Sequence, residues 1–431
     1  MFKPSGRNTI FSSQKPPQSQ VLKFSPAPAP MPSKGRFATW YERFCAQPHQ
    51  PLFVSGMLGL IAFTFLLLGV YTGTLSVGHS VIDFHAYAFV FIVFIQFFLG
   101  FLFVVFPKFL VQAQIPSRIY MRHFFAYAVS TVGVLMAFLF GFNAQIFMIL
   151  NLVAQIFSFF LLFNIHKKSL LKDKHDTFWV LVGLASGLIF HALFLLAKFG
   201  VGSELFAIYG GFYLFLFVVV YAVSQRMIPF FTSIKVQGYA IKRTKKFMSI
   251  LYVLLFLHVL GLSFFGAKIL LLTSFLLFVL FAREFCIWKL PLFSSPAILW
   301  VLYVSLYWIP IGFFISFLDS LSEILNLGLM FEKSALHAFA IGYFLTILIG
   351  FGTRVTLGHS GQTPHASGFA TTIFVFVGVV SFARLFAGVS LNFELDYIFF
   401  INLSAFLLAL GLIIWSCKYL VILAKGFKPP H

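Results

Sequence analysis

Four histidines stand inside or at the mouth of long apolar runs: His85 in "FHAYAFVF", His191 in "GLIFHALF", His258 in "LLFLHVLG" and His337 in "ALHAFAIG". An imidazole in such surroundings costs free energy unless it has a partner. A hydrogen-bonding side chain on a neighbouring helix satisfies a lone histidine. A metal is the other candidate, because imidazole ligates iron and copper alike. A b-type haem asks for axial ligands on helices that face one another at similar depth. Arg226 in "SQRMIPFFT" and Arg354 in "GTRVTLGH" set guanidinium groups at the ends of apolar runs, with His359 closing the second. There an arginine can snorkel, pair with a lipid head group or meet a haem propionate.

These groups need a scaffold, and composition names its solvent. Apolar residues fill 60% of the chain and charged ones 10%, with a mean hydropathy of +0.98. A soluble domain carries about 25% charge, so the chain is an all-α, polytopic protein of the lipid bilayer. Apolar runs of spanning length fall at 52–74, 82–105, 124–142, 144–163, 177–197, 204–224, 247–266, 268–283, 296–317, 335–352, 369–388 and 398–417. Twelve transmembrane helices follow, with 268–283 the weakest. The 64 phenylalanines carry no chemistry of their own, since lipid-facing helices accept them freely.

Numbering the loops alternately tests that count. Nearly all basic residues then lie on one side, and only Lys198, Lys268, Lys333 and Arg384 lie on the other. This is the positive-inside pattern. Both termini are therefore expected in the cytoplasm, and the net charge of +19 sets topology rather than marking a nucleic-acid site. Residues 1–50, with "SSQKPPQSQ" and "SPAPAPMPSKG", read as a disordered basic cytoplasmic tail with no signal-peptide core. Residues 51–424 form the membrane domain and 425–431 a short tail. Cys45, Cys286 and Cys417 make no CxxC motif, c-type haem site or disulfide framework.

Helix direction then gives each histidine a depth. His85 and His337 begin spans entered from the outer side, while His191 and His258 lie far along spans running outward. All four are expected in the outer half of the membrane. Arg226, Arg354 and His359 lie at the cytoplasmic ends, where Pro229 is expected to break the sixth helix and both segments to form a polar cap. A regular tenth helix separates His337 from Arg354 by about 25 Å, so the two belong to different sites.

Several of these stretches resemble one family. "RMIPFFT" and "TRVTLGHSG" look like two signature segments of the NnrS family of bacterial membrane proteins, and "ALHAFAIG" resembles the helix before the second. "FHAYAFVFIVFIQFFLGFLFVVFPK" resembles the family's WHAHEM segment, and "HQPLFVSG" is a weaker echo of its HPLF motif. The resemblance implies a twelve-span protein of the bacterial inner membrane that binds haem b and copper and takes part in the response to nitric oxide. His85, His191, His337 and His359 match family histidines and are the metal-ligand candidates. His258, Arg226 and Arg354 join His85, His191 and His337 as candidates for holding the cofactor, although His258 has no clear family counterpart. Pro229 and Gly358 match other signature positions.

The departures bear on the metals. Tyr87, Ala88 and Phe89 replace the second histidine, glutamate and methionine of WHAHEM, and "MLGLI" at 57–61 replaces FRPFF. Tyrosine can ligate haem iron, but a spectator is the plainer reading of Tyr87. Two alternatives stay open: a transporter that uses intramembrane histidines as a proton relay, and a terminal-oxidase-like haem–copper enzyme. Against the second, the chain has no adjacent His-His pair. Beyond lipid and nitric oxide, the sequence points to no protein partner.

Overall fold

The computed structural model describes residues 36–426, which form helices and connecting turns with no strand among them. Twelve helices are long and apolar enough to cross a membrane, numbered here as spans 1 to 12: His49–Tyr71, Ile82–Phe109, Ser117–Phe140, Gln145–Lys168, His175–Lys198, Glu204–Lys235, Phe247–Phe265, Ala267–Trp288, Ala297–Leu325, Ser334–His359, Gly368–Phe393 and Tyr397–Lys425. Lipid leaves the backbone no partner but itself, which is why each apolar run closes into a helix. The weak run at 268–283 extends to a full span.

The N-terminal boundary differs from expectation. A helix at Arg36–Phe44 and the first two residues of span 1 occupy part of what composition assigned to a disordered tail. The proline-rich composition stops near residue 33, and averaging it over 1–50 hid "RFATWYERF". That helix docks through stacked Trp40 and Phe44, and the Trp40 indole donates to the Ala424 carbonyl at 2.9 Å. The rest of the expected tail, and residues 427–431, lie outside the described residues.

Spans 2, 6 and 10 are the most enclosed: 83%, 89% and 72% of their most apolar stretch is buried, against 33–61% for the other nine. They are every fourth span. The chain thus forms three successive groups of four spans, each giving its second helix to the centre. Neighbouring groups pack together where spans 4 and 5, 8 and 9, and 12 and 1 touch, and the last contact closes the ring.

All three central spans carry a π-helical stretch, at Ile82–Val93, Gly211–Phe217 and Ala338–Leu345. These stretches meet through aromatic rings: Phe91 lies 6.5 Å from Phe215, and Phe339 lies 5.6 Å from Phe217. A π turn disturbs the regular ladder of carbonyl bonds. Span 4 answers one such disturbance, for Asn151 and Gln155 both donate to the Phe91 carbonyl, at 2.8 and 2.9 Å.

Two helix ends also differ from the sequence reading. Span 6 runs through Pro229 to Lys235 instead of breaking there. Proline removes one N–H from the ladder, but a buried membrane helix tolerates it because neighbouring groups re-satisfy the backbone. Span 10 continues through Arg354 and Gly358, so His359 is its last helical residue rather than part of a turn.

Candidate functional site

The four outer histidines do not converge on one point. Among the described residues, no group of three or more His, Cys, Asp or Glu side chains could hold a metal ion. The expected set of His85, His191, His337 and His359 therefore divides, because adjacency between helices, which depth alone does not give, sends each ring to a different neighbour.

His85 and His337 come together. Each sits one turn inside its span, and their rings are parallel to within 9° with centroids 6.2 Å apart. The tautomer of His337 follows from its partner: Nδ1 lies 2.9 Å from the Lys333 carbonyl, which only accepts. Nδ1 therefore carries the proton and Nε2 the lone pair, the arrangement that presents a histidine to a metal. Imidazole nitrogens sit about 2 Å from a bound transition metal, so two rings on opposite sides of one ion have centroids roughly 6 Å apart. The pair fits that requirement. His85 Nδ1 is buried without a hydrogen-bond partner, and Phe89 packs edge-on against the ring at 5.1 Å.

The entrance of span 2 is pinned from outside. Lys198 ion-pairs with Asp83 at 2.5 Å and with Glu204 at 2.9 Å, tying the ends of spans 2, 5 and 6 together. Ser80 also donates its hydroxyl to Asp83 at 3.1 Å. His85 follows Asp83 by two residues, so this cluster fixes its height.

His191 turns instead to Tyr87. The Tyr87 hydroxyl lies 3.0 Å from His191 Nε2, and both residues are fully buried. Tyr87 is thus the hydrogen-bond partner of a second histidine. His258 is hydrogen-bonded within its own group: Thr273 donates its hydroxyl to the Ile269 carbonyl at 2.8 Å and accepts from His258 Nδ1 at 3.0 Å. That leaves His258 Nε2 buried among Tyr213 and Phe313 without a partner.

At the other end of the bundle His359 meets His49, with ring centroids 4.7 Å apart and planes tilted by 44°. The HPLF echo and the second signature thus touch across spans 1 and 10. The two signatures also touch each other, since the Arg354 guanidinium lies 3.9 Å over the Phe231 ring. Arg226 is otherwise engaged. It pairs with buried Asp176 at 3.1 Å, and Arg243 takes the other oxygen at 2.9 Å. Both arginines expected to hold the cofactor lie at the end of the bundle opposite His85 and His337. Ahead of span 1, the Cys45 carbonyl accepts from the Tyr120 hydroxyl. Burial pushes the Cys45 thiol up from its ordinary value, which disfavours the thiolate.

Sequence reasoning gave little weight to His49 and missed Arg384. The HPLF echo was the signal for the first. The signal for the second was an arginine within the apolar run "VVSFARLFAGV", on the side where basic residues are scarce.

Comparison with curated proteins gives no match. The sequence model of one family, described as NnrS protein, matches residues 43–426. The match takes in all twelve spans and both signature segments, so the chain belongs to the NnrS family.

Proposed function

We propose that the protein binds a b-type haem in the bacterial inner membrane, which His85 and His337 would hold, and takes part in the response to nitric oxide. The observation that carries this reading is the pair of parallel imidazoles with centroids 6.2 Å apart, a spacing that suits two ligands of one ion. A haem needs only two protein ligands because the porphyrin supplies the rest, so a pair is a complete set. Bound haem iron supplies the diatomic-gas and redox chemistry that such a response requires.

The chain's own residues do the positioning. The Lys333 carbonyl holds the His337 proton on Nδ1, and the Asp83–Lys198–Glu204 cluster sets the height of His85. Phenylalanines of the three central spans exclude water from the bundle beneath. Copper, which the family resemblance also implies, fits less well. Typical copper sites gather three protein ligands or more, and the described residues offer only pairs. No step is assigned to it.

The test is an optical spectrum, oxidised and reduced, of detergent-purified full-length protein with metal analysis of the same sample. Soret and α bands are expected in the wild type, lost in His85→Ala and in His337→Ala and kept in His258→Ala. A featureless spectrum after expression with ample haem would sink this reading.

A further inference from the structure

Arg384 lies deep in span 11, 8% exposed, and its Nη1 has no hydrogen-bond partner. A guanidinium keeps its charge under all ordinary conditions. A permanent buried cation calls for an anion beside it, yet no carboxylate of the described residues makes an ion pair with Arg384. Tyr397, Tyr71 and exposed Glu332 lie within electrostatic reach of it, Glu332 outside ion-pairing distance.

The packing of spans 10 and 11 explains its place. Gly388 faces Ser334 so closely that a methyl group there would collide with the serine hydroxyl. The spans run antiparallel, so one turn inward from that contact Arg384 comes level with His337. Its charge acts on His85 and His337 alike.

We infer that Arg384 is the seat of a carboxylate belonging to the group held by His85 and His337, which for a haem is a propionate. This rests on the reading proposed above and adds the residue that orients the macrocycle. An ionised propionate would give the guanidinium the charge-assisted, two-pronged partner that the chain itself does not supply. It would also explain an arginine at the outer end of a protein whose basic residues lie almost wholly at the other.

The experiment compares haem with its dimethyl ester, in which both propionates are esterified, reconstituted into the full-length wild type, Arg384→Gln and Glu332→Gln in detergent. Retention against an excess of a haem-scavenging protein is the readout, with the midpoint potential as a second. The wild type is expected to hold haem at least tenfold longer than the ester, and Arg384→Gln to lose that discrimination while keeping the α band and shifting to a lower potential. Glu332→Gln should behave as the wild type. Equal retention of haem and ester by the wild type overturns the inference, even if Arg384→Gln fails to fold. So does a Glu332→Gln variant that matches Arg384→Gln, since Glu332 would then be the counter-ion. A wild type that takes up neither form overturns the proposed function as well.

Discussion

At the residue scale, what separates the histidines is the partner each one has found. His337 gives Nδ1–H to a carbonyl that can only accept and so presents Nε2, while His258 Nδ1 shares a hydrogen bond with the Thr273 hydroxyl. Of these two, His337 has a second imidazole beside it. His191 spends its Nε2 on Tyr87, which makes the tyrosine testable. Tyr87→Phe strips that contact and leaves neither buried ring nitrogen with a partner, which should cost about 1–3 kcal/mol. Unfolding of the purified variant in mixed detergent measures it, and a change below about 0.5 kcal/mol would return Tyr87 to the rank of a spectator. None of this was legible in the sequence beyond the substitution itself. Motif positions gave residue types, while the identity of the partner depended on which helices touch.

At the scale of the element, the central spans depart from regular helix geometry where they bury the most. A period of 3.6 residues cannot be read from runs as uniformly apolar as "AFVFIVFIQFF", so the π-helical stretches left no trace in the pattern. Their neighbours did leave one, as polar residues in an otherwise greasy fourth span. Asn151 and Gln155 converge on a single carbonyl, that of Phe91. Removing either amide leaves the other in place, so Asn151→Ala and Gln155→Ala should each cost little through this contact. The double variant should lose about 1–3 kcal/mol beyond their sum, because it alone leaves the carbonyl without an amide donor. A double-mutant cycle by detergent unfolding checks this, and strict additivity would mean that the two amides do not share the carbonyl's stabilisation. Pro229 teaches the complementary lesson. A rule that holds for exposed helices failed inside the bundle, where tertiary packing decides.

At the scale of the whole molecule, the number of spans was legible because hydrocarbon thickness fixes helix length and composition marks each crossing. Their arrangement was not, since hydropathy says nothing of neighbours. The fourfold rhythm of burial, with spans 2, 6 and 10 enclosed, is visible only in three dimensions. The basic residues are expected to set orientation. A fluorescent protein fused after the last residue should glow, and alkaline phosphatase at the same point should stay inactive; the opposite result would invert every depth given to the histidines. The join between the two ends of the chain reaches into how the protein is made. Trp40 reaches Ala424, and Asn402 of span 12 donates to the Tyr71 carbonyl at 3.4 Å. Span 1 therefore enters the bilayer with its final neighbour not yet synthesised, and the ring stays open until the last helix arrives. His85 likewise waits for span 10. A ribosome stalled before that span would leave a membrane-bound chain with one imidazole of the pair, so loading of a two-ligand group belongs to the closing stage of biogenesis.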